Sequence, residues 1–226
     1  MADTNLFIFQ IKNTALSGQV TEAHKMIFDV LQKNSNDPTG ILIRGICFYL
    51  EDSTDKALNH FTRALQLDPG LSEAKHYRKQ CKALLAAKKE ANDAFSSGKL
   101  EEAIEGYGKA LEIEPANNAI NAKLYYNRAL ARSKIKQADP EEAEKRDLKV
   151  IDDCNKAIEL NSEYAKAYRR RAFAQQNIGE HDEAVRDLET SAKLEPTQEN
   201  KRLIREAKQK QKMAARKDYY KIFEGL

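Results

Sequence analysis

The sequence predicts an all-α protein: a solenoid of five helix-turn-helix repeats, with one long linking helix and a polar C-terminal capping helix. Three observations predict it. The 226 residues include only 9 Gly, 5 Pro and no Trp, while 32% are charged, a composition rich in helix formers and poor in turn residues. A pattern of Ala, a large residue four positions on, a small residue and then Pro recurs three times. It reads Ala57, Phe61, Ala64, Pro69; then Ala103, Tyr107, Ala110, Pro115; then Ala184, Leu188, Ser191, Pro196, with twelve positions from the first Ala to the Pro each time. Gly98 and Gly179 stand five positions before Ala103 and Ala184, and Gly18 five before Ala23, which has Ile27 four positions on; at each a left-handed residue reverses one helix into the next.

The small residues let the second helix of each unit pack closely, the large one fills the gap, and Pro stops the helix. A unit of about 34 residues with this signature resembles the tetratricopeptide (TPR) repeat. Set on these anchors, repeat 1 falls at 4–37 and abuts repeat 2 at 38–71; repeat 3 is 84–117 and repeat 5 is 165–198. Between repeats 2 and 3 lies a spacer, 72–83. Leu71 to Ser97 contains neither Gly nor Pro, so the spacer and the first helix of repeat 3 read as one helix, about 40 Å long. Repeat 4 is irregular. Its first helix runs from about Asn118 to Ile135 and its second ends at Leu160, with Val150 and Cys154 in place of the usual Ala and aromatic. Asp139-Pro140-Glu141-Glu142 accounts for the extra residues between them: Asp caps, Pro takes the first helical position and Glu fills the first turn, so the second helix is lengthened outward.

Residues 199–217 form a basic helix of the kind that closes a solenoid, followed by 218–226 as a separate short segment. The opposite end lacks such a cap. Leu6, Phe7, Ile8, Phe9 and Ile11 make the first helix apolar around most of its circumference, which implies that further repeats precede it in the full protein. The expected organisation is therefore two repeats at 4–71, a helical spacer at 72–83, a three-repeat domain at 84–198, and the cap.

Charge is unevenly placed. Residues 1–82 carry 10 basic and 9 acidic side chains, residues 83–196 carry 19 and 22, and residues 197–226 carry 9 and 4, so the basic excess lies in the tail. That tail lacks an aromatic platform, which leaves only weak, salt-labile nucleic-acid association and no specific site. No stretch approaches the ~18 apolar residues of a membrane span, and no secretory signal opens the chain. Cys47, Cys81 and Cys154 are odd in number and lack CxxC spacing, pointing to a reducing compartment, the cytoplasm or the cytoplasm and nucleus. Cys47 and Cys154 read as small buried groups. His24, His60, His76 and His181 show no metal spacing with them, so no metal or other cofactor is expected. No nucleophile-base order or phosphate loop is present, and an enzyme is the least favoured reading.

Binding residues emerge from repeat positions. In a TPR array the first helices of each repeat line the concave face. Lys88 and Asn92 are positions 5 and 9 of repeat 3, four apart and so on one helix face. Asn127 is position 6 of repeat 4; Lys166 and Arg170 are positions 2 and 6 of repeat 5. Two ammonium groups, a guanidinium and two amides facing one groove suit a carboxylate, each charge-assisted hydrogen bond contributing about 1.5–3 kcal/mol. Lys134, seven residues after Asn127, is a possible accessory contact to an upstream acid. Arg128, Arg169 and Arg171 point to other faces and read as structural; Tyr125, Tyr126 and Tyr168 read as groove wall or core.

These five residues resemble the two-carboxylate clamp of co-chaperone TPR domains, which holds the C-terminal Glu-Glu-Val-Asp of cytosolic Hsp70 and Hsp90. The resemblance implies that Lys88, Asn92, Asn127, Lys166 and Arg170 grip the two carboxylates of the terminal Asp. It also implies Hsp90 and Hsp70 tails as partners of a monomeric module. Lys217-Asp218-Tyr219-Tyr220-Lys221-Ile222 resembles the opening of a J domain, although no His-Pro-Asp tripeptide occurs and Phe223-Glu224-Gly225-Leu226 departs from the usual continuation. A TPR array running through a basic helix into that segment is similar to the TPR-containing J-proteins, and implies a fragment holding linking repeats and a clamp domain. The alternative is a TPR scaffold that uses its concave face for another partner or client.

Overall fold

The computed structural model describes residues 2–224, and side chains over residues 6–216. It contains eleven α-helices and no strand among the described residues. The first four are α1 (Ala2–Leu16), α2 (Val20–Lys33), α3 (Pro38–Leu50) and α4 (Thr54–Leu67). The long helix α5 (Ser72–Ser96) and α6 (Leu100–Ile113) follow, then α7 (Asn118–Lys134), α8 (Pro140–Leu160), α9 (Ala165–Asn177), α10 (His181–Leu194) and α11 (Gln198–Glu224). Paired in order, with α11 left over as the cap, they form the five helix-turn-helix repeats that the sequence predicts.

The turn chemistry explains the pairing. Gly18, Gly98 and Gly179 adopt φ of +91°, +76° and +87°, and a Cβ there would meet nothing within 4 Å, so glycine is required by backbone conformation alone. Repeat 2 carries Asp52 at the equivalent position, with φ +57°. Asp and Asn are among the few side chains that tolerate this region. At the start of α8, Asp139 accepts from the Glu142 amide at 2.9 Å with Pro140 in the first helical position. That helix has 21 residues against 14 in α2, α4, α6 and α10, which is where the irregular repeat absorbs its extra length.

The chain divides into two compact units, Met1–Glu90 with Lys109–Ile120, and Ala91–Gly108 with Asn121–Leu226. In the first, Ile11, Ala23, Ile27, Leu42, Ile46, Phe61 and Leu84 are fully buried. Tyr77 stacks on Phe61 with ring centroids 5.6 Å apart, and Tyr49 meets both rings edge-on at 6.3 and 6.2 Å. Gly45 lets α3 approach α4: a Cβ on it would lie 2.7 Å from the Phe61 ring. Asn117 joins the core to the next helix, donating to the Tyr49 carbonyl at 2.8 Å while accepting from the Ile120 amide at 3.2 Å.

The second unit has two apolar clusters. Ala129, Val150, Cys154 and Ala174 tie α7, α8 and α9 together, and Cys154 fills the place of the usual aromatic. Ala172, Ala184, Val185, Leu188, Leu203 and Ala207 tie α9 and α10 to α11. Helix α11 thus buries Leu203 and Ala207 and exposes Lys201, Arg202 and Lys208, as a cap should. It is longer than expected, continuing unbroken to Glu224 because no Gly or Pro interrupts it before Gly225. The side chains of 217–226, which carry the J-domain-like resemblance, lie outside the described residues.

Leu6 and Phe9 on α1 and Phe28 on α2 remain exposed at 60%, 57% and 50%. No helix among the described residues is long and apolar enough to cross a membrane.

Candidate carboxylate-binding site

Four of the five predicted residues belong to the second unit, Asn92, Asn127, Lys166 and Arg170; Lys88 belongs to the first. In the second unit the first helices of successive repeats touch one another at or beside the predicted positions. Lys134 on α7 holds its ammonium 5.8 Å from the centre of the Phe95 ring on α5. Arg170 on α9 donates from Nη1 to Ser133 Oγ on α7 at 3.2 Å, and Ser133 in turn donates to the Leu130 carbonyl at 2.8 Å.

Each residue has a distinct state. Asn92 is exposed, and its Oδ1 accepts the Tyr107 hydroxyl at 2.8 Å. Tyr107 is 2% exposed, and burial raises its pKa, so the hydroxyl stays a proton donor. That bond takes the oxygen end of the amide and leaves the Nδ2 donors for another acceptor. Asn127 is half-buried on α7 and Lys166 is exposed on α9. Arg170 is half-buried, its guanidinium carbon 6.0 Å from the Phe173 ring, and its Nε–H is buried without an acceptor among the described residues. A guanidinium engaged only by a hydroxyl and the face of a ring retains capacity for an anion.

The neighbouring arginines show the contrast. Arg128 makes a forked contact to Asp153, Nη2 to Oδ1 at 2.7 Å and Nε to Oδ2 at 3.1 Å, and Arg132 adds a third bond at 2.5 Å. Arg171 does the same with Asp187, Nε to Oδ2 at 2.6 Å and Nη2 to Oδ1 at 2.7 Å; the hydrogen bonds of that fork raise the guanidinium's pKa. Arg169 donates to Asn200 at 2.9 Å. Asp153 and Asp187 stand one residue before Cys154 and Leu188, so one repeat position supplies both carboxylates. Arg128, Arg132 and Arg171 are thus neutralised from within, while Arg169 is held by a neutral amide. Lys166 and Arg170 have no carboxylate partner among the described residues.

Lys88 differs. Its Nζ donates to Asp52 Oδ1 at 3.0 Å, across 36 residues of sequence. The side chain of Asp52 is 6% exposed and that of Lys88 25%. Asp52, Tyr107 and Ser133 are the residues that sequence reasoning missed. Asp52 carried a signal, being the one residue other than Gly at the turn position of repeats 1, 2, 3 and 5.

Two cavities lie away from the predicted residues. One of about 580 Å³ is lined by Phe28, Leu31, Ile41, Arg44, His60 and Arg63, and another of about 490 Å³ by Ile104, Arg132, Ile135, Leu148 and their neighbours. No group of His, Cys, Asp or Glu among the described residues has metal-binding geometry.

Repeated helical hairpins with left-handed turns and a polar cap define a tetratricopeptide-repeat protein. The crystal structure of the P58(IPK) TPR domain covers 93% of this chain and 56% of its own, with a TM-score of 0.74 and 17% identity, which shows the fold. In sequence the chain is similar to DnaJ homolog subfamily C member 7. It is 37% identical to the Homo sapiens protein over 215 residues, 95% of this chain, and 34% identical to the Schizosaccharomyces pombe homologue over 218 residues, 96% of this chain. The chain spans 42% of the length of each. No protein-family model matches it.

Proposed function

We propose that the chain is a co-chaperone binding module, not an enzyme, that holds the acidic C-terminal Glu-Glu-Val-Asp tail of Hsp70 or Hsp90. Lys88, Asn92, Asn127, Lys166 and Arg170 take the two carboxylates of the terminal Asp, and Lys134 reaches an upstream acid. The observation that supports this is the contrast on α9: Arg171 is neutralised by Asp187, while Lys166 and Arg170, one turn apart, have no carboxylate of their own. The similarity to a DnaJ homolog suits such a module, linking chaperones within a J-protein; its setting is then the cytoplasm, or the cytoplasm and nucleus.

A short tail loses conformational freedom on docking, so affinity is expected near micromolar, about −8 kcal/mol, and is weakened by salt. The test is a titration of a peptide ending Glu-Glu-Val-Asp as free acid and as C-terminal amide. Loss of binding on amidation, and on Lys166→Ala or Arg170→Ala, is the expected result. Equal binding of acid and amide returns the chain to the scaffold reading, in which the groove serves another partner.

A further inference from the structure

We propose that Asp52 is an internal competitor for Lys88, a carboxylate supplied by repeat 2 that sets how tightly the site takes a ligand carboxylate. The inference rests on the clamp reading above. Its geometry stands independently: a side chain 6% exposed, bonded at 3.0 Å to one of the five predicted ligand-binding groups.

The placement follows from the turn. Gly18, Gly98 and Gly179 take the left-handed conformation without a side chain; Asp52 takes it at φ +57° with one. A glycine there would serve the backbone better, because the left-handed region strains any residue with a Cβ. What the aspartate adds is a negative charge beside α5.

An incoming carboxylate has two routes to Lys88, and both are opposed. It can displace Asp52, which breaks a charge-assisted bond and strips the ammonium from a carboxylate that water reaches poorly. Alternatively Lys88 turns a second N–H outward while keeping Asp52, and the ligand's carboxylate then sits within a few ångströms of a like charge. The countervailing benefit, a Lys88 side chain already ordered by Asp52, is limited to the rotamer freedom of one lysine. Asp52 therefore weakens carboxylate binding. It also raises the threshold for selection, since a ligand presenting a single weakly held carboxylate at Lys88 gains least.

The experiment uses the whole chain and the free-acid peptide ending Glu-Glu-Val-Asp, titrated by calorimetry against wild type, Asp52→Asn and Asp52→Gly. Both replacements suit a left-handed residue, and thermal melts establish that they fold. We expect about three- to tenfold tighter binding for each, the scale of one part-exposed charge-assisted contact. We expect that gain to vanish when Lys88→Ala is combined with either variant, since the proposed competition is for Lys88. Unchanged or weaker binding by Asp52→Asn and Asp52→Gly, with Lys166→Ala still abolishing it, overturns the inference and leaves the clamp reading intact. Absence of binding to the free acid by wild type and both variants overturns the clamp reading and the inference with it.

Discussion

Tyr107 donates its hydroxyl to Asn92 Oδ1 at 2.8 Å, and this fixes which end of the amide faces away from the protein. Tyr107 is also the large residue of its repeat, 2% exposed against the neighbouring helix, so one side chain packs the repeat and orients the amide. Tyr107→Phe keeps the ring and removes only the hydroxyl. We expect peptide affinity to fall by about 1 kcal/mol, near fivefold, with little change in melting temperature. A calorimetric titration beside a thermal melt separates the two, and a large loss of stability with unchanged affinity contradicts this role.

Asp187→Ala removes the acceptor of the Arg171 fork and leaves a guanidinium that is four-fifths covered without its partner. Breaking a buried pair in this way costs about 3 kcal/mol, at the lower end of the usual range because Arg171 keeps some contact with solvent and with Asn155. Urea denaturation is the measurement. Arg202, exposed and paired with Glu199 on the same helix, provides the comparison: Arg202→Ala is expected to change stability by less than about 0.5 kcal/mol.

The three cysteines carry a pH signature. Burial pushes Cys47 and Cys154 up to about 12 and Cys81 to about 11, from an ordinary value of 9.0. The folded state holds these thiols protonated, while the unfolded chain ionises them above pH 9. Their stabilising contribution is therefore complete below pH 9 and declines as pH rises from 9 towards 12. Melting temperature should fall across that interval. At pH 8 a thiol reagent should label none of the three in the native protein and all three in denaturant. Rapid native labelling counts against their burial.

Two glycines separate strain from crowding. Gly98→Ala places a Cβ in open space at φ +76°, so only the backbone conformation resists it, by about 1–2 kcal/mol. Gly45→Ala keeps a comfortable helical conformation but drives a Cβ to 2.7 Å from the Phe61 ring, so α3 and α4 must move apart, at about 1–3 kcal/mol. The paired change Gly45→Ala with Phe61→Leu should recover part of the second loss and has no counterpart for the first. Denaturation midpoints of the three variants check this.

Much of this architecture is readable from local chemistry. The Gly turns, the Asp139-Pro140 cap and the uninterrupted run after Gly70 depend on neighbouring residues only, and each matches an observed helix boundary within a residue or two. The extent of α11 is less legible: a resemblance at Asp218 suggests a boundary where the helix formers simply continue. Site contacts were harder. The partner of Lys88 stands 36 positions away and that of Asn92 15, and no periodicity reports which hydroxyl or carboxylate a turn delivers to a neighbouring helix. Fixed spacing places the predicted donors on successive helices; only coordinates reveal that one of them is already engaged.

The exposed side chains of Leu6, Phe9 and Phe28 have a practical consequence. Solvatochromic dyes such as ANS report exposed apolar surface, and here the native protein presents it before any unfolding begins. A dye-based melt is expected to start bright and rise little, imitating a molten state in a well-packed chain. The chain has no Trp, so its internal fluorescence comes from Tyr alone, and the helical circular dichroism signal follows folding without a dye.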